Sequence, residues 1–213
     1  MLIHRPFSRF TFATIAVLSF AFLMFIIINA IGDNFHEVIA QKVYRSANLA
    51  PDKLLYVIDK YKLKSIVNLE GEQPDRPWYN SEMSVVKLTG INHFDVQLPP
   101  HGLPEDQQLK KLIYILQNAP QPLLIHCKHG SDRTGLASAI SMILSENNGY
   151  NDFDEQISWK YGVVSPSSVG FEVFTNYTDW LKSQRLPNSR ENFLKWANTE
   201  FSSSTTRYGW VFT

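Results

Sequence analysis

Pro122-Leu123-Leu124-Ile125-His126-Cys127-Lys128-His129-Gly130-Ser131-Asp132-Arg133-Thr134-Gly135 is the stretch that decides the fold. Pro122–Ile125 is an apolar run too short for a helix and reads as a buried strand, whereas Leu136–Leu144 reads as an apolar helix. The residues between them therefore form a strand–loop–helix turn. In such a turn the loop N–H groups and the positive end of the helix converge on one point, which suits an anion. The same surroundings favour the thiolate form of a cysteine, so Cys127 is expected to act as a nucleophile toward phosphorus. The planar fork of Arg133 can hold two phosphate oxygens at once. Gly130 suits a point of tight turning or close approach to the anion. Lys128, His129, Ser131 and Asp132 complete the expected phosphate-binding loop. Thr134 is placed to give its hydroxyl to the sulfur during hydrolysis, and His126 to orient the loop. Reading Cys127 as an inert buried thiol leaves the spacing, the glycine and the Thr-Gly pair as coincidences.

Outward from this turn, strand and helix signals alternate. Lys42–Ser46, Ser65–Leu69, Asn92–Leu98 and Leu123–Ile125 read as strands. Pro51–Lys62, Tyr79–Leu88 (ended by Gly90) and Pro104–Asn118 read as helices. The pattern predicts an α/β fold with a central, mostly parallel sheet of about four to five strands flanked by helices. Ligand is expected at the carboxyl ends of the strands. Further helices are expected near Asp152–Lys160, Ser168–Ser183 and Ser189–Thr199. Their aromatic residues, including Phe174, Tyr177, Phe193 and Trp196, read as core.

The loop resembles the signature of the cysteine-dependent protein tyrosine phosphatase superfamily, His-Cys-x5-Arg-Ser/Thr. In detail it is most similar to bacterial dual-specificity phosphatases, whose loops read Cys-Lys-x-Gly-x-Asp-Arg-Thr-Gly. Val43-Tyr44-Arg45-Ser46-Ala47, Val67-Asn68-Leu69 and Trp78-Tyr79 extend the likeness, which covers residues 36–200. The resemblance implies a two-step reaction through a phosphocysteine, with neither metal nor organic cofactor. It favours phosphotyrosine in protein as substrate, with phosphoserine and phosphothreonine as further targets. Lys128 directly after Cys127 looks like inositol-lipid phosphatases, so a phosphoinositide or inositol polyphosphate is the alternative. A third possibility is a phosphate-binding module without turnover.

Expulsion of the leaving group needs a proton donor, and relatives usually supply an aspartate from an upstream loop. Here that loop, 99–106, has no aspartate in its middle. Asp95 lies inside an expected strand, Glu105 and Asp106 suit a helix start, and His101 is a loop histidine. Asp132 is placed first, as it neighbours Arg133 in the loop itself. An ion-pair brace for Arg133 is its competing reading. His126 and His129 lack the further ligands of a zinc site.

The first residues differ in character. Phe10–Gly32 carries no charged residue, long enough to cross a bilayer and longer than a signal-peptide core. A short cytoplasmic N-terminus over 1–9 and a retained anchor over 10–32 are therefore expected, with a signal cleaved at the small residues of Ala30-Ile31-Gly32 as the alternative. Arg5 and Arg9 before it would place the catalytic domain on the far side of the membrane, periplasmic in a bacterium. Residues 201–213 read as a tail. Basic and acidic residues number 20 each, with no basic stripe, so nucleic acid is not an expected partner. The single cysteine precludes an intrachain disulfide.

Overall fold

The structure, a computed structural model, describes residues 14–20, 24, 33–145 and 152–203. Five strands form one sheet: β1 His36–Ile39, β2 Val43–Ala47, β3 Ser65–Asn68, β4 Asn92–Asp95 and β5 Leu123–Cys127. Their spatial order is β1-β2-β5-β3-β4. Only β1 runs antiparallel, against β2; the other pairings are parallel. The α/β architecture with a mostly parallel sheet is thus as the alternation predicts. β1 is the addition, a four-residue strand with an irregular register and no alternation long enough to announce it.

The helices are α1 Pro51–Tyr61, α2 Pro77–Thr89, α3 Asp106–Asn118, α4 Asp132–Leu144, α5 Val169–Gln184 and α6 Arg190–Lys195. Proline opens α1 and α2, where its missing N–H costs nothing, and Gly90 closes α2 at φ 69°. Glu105 and Gln108 form a capping box at α3, so Glu105 serves the helix start. The expected helix near Asp152–Lys160 is instead two 3₁₀ turns, Phe153–Ile157 and Trp159–Tyr161. They press closely on α4: a Cβ on Gly135 would sit 2.8 Å from the Gln156 carbonyl oxygen.

Alternation along the strands divides the core in two. Tyr44, Ile66 and Leu124 face Leu54 and Val57 of α1 and Val85 of α2. Val43, Val67, Leu123 and Ile125 face the larger layer built from α3, α4 and α5. Helix α4 runs through the centre of that layer, and eleven of its residues are buried. Tyr177, Phe193 and Trp196 complete the layer, fully or almost fully buried, so the aromatic repeat is core. Trp159 and Phe171, also expected in the core, depart from it, being 67% and 38% exposed.

One expectation is corrected. Among the described residues, no helix is long and apolar enough to cross a membrane, which overturns the single-pass placement with the catalytic domain beyond a bilayer. A crossing takes about 20 helical residues, and within 10–32 the described helical residues are 14–20 and 24. The remainder of that segment, residues 1–9 and most of the 201–213 tail lie outside the described residues.

Candidate active site

The central strand β5 ends at Cys127, and α4 begins five residues later at Asp132. The turn between them therefore opens at the carboxyl edge of the sheet, flanked by β2 and β3. Cys127 is almost fully buried there. Gly130 adopts φ 66°, and a Cβ on it would stand 2.6 Å from the backbone N of Ala47. Only glycine fits both demands.

The loop carbonyls are tied down from behind. Asn34 Nδ2 donates to His129 O (3.1 Å), Gly130 O (2.9 Å) and Tyr161 O (2.9 Å). Arg45 Nη2 donates to Gly130 O at 2.8 Å. A trans peptide is planar, with N–H opposed to C=O. Carbonyls held outward in this way turn the N–H groups of Gly130 and Ser131 toward the opposite side of the loop, away from Asn34 and Arg45.

Arg133 and Thr134 occupy the first turn of α4. Arg133 Nη2 lies 3.7 Å from Glu70 Oε2, so its brace comes from the segment after β3 rather than from Asp132. Asp132 is half-buried, with Ser131 Oγ 3.4 Å from its Oδ2. The Thr134 hydroxyl is buried without a hydrogen-bond partner among the described residues, which leaves it available to a ligand. Lys128 and His129 are exposed on the rim.

His126 points beneath the loop, where its Nε2 lies 3.1 Å from Glu82 Oε2. Glu82 in turn meets His93 Nε2 at 2.9 Å, and His93 Nδ1 lies 3.4 Å from Asp95. Asp95 also accepts from Asn68 (2.7 Å) and the Tyr79 hydroxyl (2.8 Å). Burial alone would raise Glu82, but His126 and His93 outweigh it and leave its pKa at about 2. Burial would lower His93, yet Asp95 and Glu82 bring it up to about 9. Burial opposes ionisation of Asp95 as well, but His93, Tyr79 and Asn68 hold it below the usual carboxylate range. Asp95 is therefore a structural anion, unsuited to arrive protonated at neutral pH.

The other acid candidates are also engaged. The 99–104 loop is pinned to the segment before α5, through Gly102 N to Ser167 O (3.0 Å) and Val169 N to Pro100 O (3.1 Å). Asp106 Oδ1 accepts from the Ser203 N–H at 2.8 Å. His101 is exposed and bridges to Ser168. Sequence reasoning missed Asn34, Glu70, Glu82 and His93. Arg45 stood in the sequence within a stretch of the family resemblance, with no role assigned to it.

A cleft of ≈ 650 Å³ opens beside the loop, lined among others by Lys128, Glu70, Gln73, Arg76 and Trp78. Trp78 thus walls a space that reaches the loop at Lys128, and Arg76 adds a second cation to Lys128.

Residues 31–155 match the family model described as "Tyrosine phosphatase family". Over 108 residues the chain is 32% identical to the inositol diphosphatase SIW14 of Saccharomyces cerevisiae, covering 48% of this chain and 37% of that protein. The match thus spans little more than a third of that relative's length. Among solved structures, the chain resembles the core catalytic domain of the S. cerevisiae PP-IP phosphatase SIW14 in complex with citrate. That likeness has a TM-score of 0.54 at 24% identity and covers 73% of this chain and 96% of that one. PTPMT1 in complex with PI(5)P is similar at TM-score 0.51 and 16% identity, over 72% of this chain and 99% of that one. At these identities the structures share the fold.

Proposed function

Because the chain belongs to the tyrosine phosphatase family, we propose that it is a cysteine-dependent phosphatase acting on a small substrate with several phosphates, of the inositol phosphate class. The observation that carries the substrate class is the cleft in which Lys128 and Arg76 stand beside the cysteine loop. Two cations there can hold phosphates other than the one being cleaved. The 32% identity to an inositol diphosphatase supports the same reading. Phosphotyrosine is the second reading, favoured by Trp78 in the cleft wall, an aromatic surface for a phenyl ring.

In this mechanism the substrate phosphate sits on the loop N–H groups, with two oxygens on Arg133. The sulfur of Cys127 attacks phosphorus in line, a sulfur–phosphorus bond forms, and the bond to the leaving oxygen breaks. Asp132, at the mouth of the loop, gives that oxygen its proton. Water then attacks the phosphocysteine and yields its proton to Asp132, and phosphate departs. The Thr134 hydroxyl donates to the sulfur as it leaves. Glu70 holds the Arg133 fork in place before substrate arrives.

The test is phosphate release by the full chain, without added metal, from inositol polyphosphates, phosphoinositides, phosphotyrosine peptides and phosphoserine peptides. Cys127→Ser abolishes release. The double variant Arg76→Ala/Lys128→Ala raises KM for inositol polyphosphates by roughly tenfold, the equivalent of about 1.4 kcal/mol. Its KM for p-nitrophenyl phosphate moves much less. Release that survives Cys127→Ser overturns the enzyme reading. A phosphotyrosine preference, with polyphosphates unaffected by the double variant, hands the case to the second reading.

A further inference from the structure

Arg45 is the buried charged group that this reaction leaves without a task. It lies in β2 with no exposed surface. Its Nη1 donates to Gln156 O (2.9 Å) and Gln156 Oε1 (2.8 Å), and its Nη2 to Gly130 O (2.8 Å). The guanidinium carbon lies 3.8 Å from the Tyr161 ring centroid. Every one of these partners is neutral, and Nε has no hydrogen-bond partner among the described residues. Nor, among the described residues, does any carboxylate stand within ion-pair distance of Arg45.

The further charge that the Tyr161 ring meets is positive, and the neighbouring histidine is kept neutral. Lys160 Nζ lies 5.2 Å from the Tyr161 ring, and His36 meets that ring edge-on at 5.0 Å. Burial, with the Arg45 and Lys160 charges, keeps the pKa of His36 below its ordinary value. Burial lowers the pKa of Arg45 itself to about 10, while Tyr161 and Cys127 favour its charge, so at neutral pH it is a cation. A buried cation with no counter-ion is costly until an anion completes the pair. Strand alternation puts Arg45 on the same side of the sheet as Ala47, and Ala47 is registered with Cys127. The guanidinium therefore lies under the loop.

Resting on the reading of Cys127 and its loop as an anion site, we propose that Arg45 is a positioning residue whose missing counter-ion is the reacting anion. It acts through the loop. Its bond to the Gly130 carbonyl fixes the peptide that carries the Ser131 N–H, and its charge favours the anionic sulfur and the phosphate bound over it. Arg133 grips the phosphate directly; Arg45 supplies positive potential from beneath, where water cannot screen it.

Gln156→Glu is the discriminating variant. It puts a carboxylate where Gln156 Oε1 already accepts from Arg45, and it leaves the guanidinium and its bond to Gly130 in place. Two measurements on the full chain read the effect. One is binding of inorganic phosphate by calorimetry in a Cys127→Ser background. The other is the rate of Cys127 alkylation by charged iodoacetate relative to neutral iodoacetamide. Gln156→Glu is expected to raise the phosphate Kd roughly tenfold and to lower the iodoacetate-to-iodoacetamide ratio comparably. The Tm without phosphate should rise, because Arg45 gains its partner. Arg45→Gln gives the same two losses with a lower Tm.

A folded Gln156→Glu protein with unchanged phosphate affinity and an unchanged reagent ratio overturns the inference. Equal slowing by both reagents together with an unchanged phosphate Kd also overturns it, since the Arg45 charge then does not reach the bound anion. The reading of the loop fails separately, if the unsubstituted Gln156 protein neither binds phosphate nor prefers iodoacetate.

Discussion

Gly130→Ala tests whether the loop is set by its fit against β2. At φ 66° a side-chain-bearing residue pays roughly 1–2 kcal/mol for the left-handed conformation. The added Cβ would also lie 2.6 Å from Ala47 N and Ser46 C and 2.7 Å from Ser46 O. All three are backbone atoms of a strand paired on both sides, so no rotamer change relieves the contact. Overpacking of this kind costs about 1–3 kcal/mol, giving about 2–5 kcal/mol in total. For a chain of this size that lowers Tm by on the order of 10 °C. The cheapest relief is a shift of the loop away from Ala47, which breaks the Arg45 and Asn34 bonds to Gly130 O. A displacement near 1 Å at a reacting centre costs roughly 10²-fold in rate. Thermal melts together with kcat/KM on p-nitrophenyl phosphate check both numbers. A Gly130→Ala protein with the Tm and turnover of the unsubstituted chain would refute the close-packed loop.

Two further predictions concern protons. Glu82, at about 2 in the folded state against 4.5 ordinarily, contributes stability above about pH 4.5 and loses it as the pH falls toward 2. His93, raised to about 9 from 6.5, contributes fully below pH 6.5 and loses it as the pH rises through 9. Tm measured across the pH range should therefore form a plateau between about 4.5 and 6.5 and fall on both sides, and His93→Gln should flatten the alkaline fall. An alkaline limb unchanged in His93→Gln counts against the network. Asp132→Asn should lower kcat for alkyl phosphates at least tenfold more than for p-nitrophenyl phosphate, whose leaving group needs little protonation. Equal losses on both substrates would remove Asp132 as the acid.

The strand–loop–helix turn that carries Cys127 was legible because it is a local object. A short apolar run, a glycine and an apolar helix dictate strand, turn and helix within a few residues, and the Cys127-to-Arg133 spacing rides on that backbone. The helix limits at Pro51 and Gly90 were local too, written in residues with restricted or unusual φ. Where the sequence fell short, distance along the chain was the cause. It set Asp95 aside as a strand residue without showing its partners; Asn68, Tyr79 and His93 arrive from β3, α2 and β4 to hold it as an anion. The 152–160 segment has helical spacing, yet packing against Gly135 tightens it into 3₁₀ turns.

By itself, then, the sequence determined the alternating α/β order and the strand–loop–helix turn from Cys127 to Arg133, since backbone preference and side-chain periodicity act over a few residues. The tertiary structure alone decided what stands behind that turn. Glu82 reaches His126, Glu70 reaches Arg133, and Asn34 and Arg45 reach the loop carbonyls. These pairs come from separate elements, and what a buried charge does depends on the counter-charges that folding brings within a few ångströms of it.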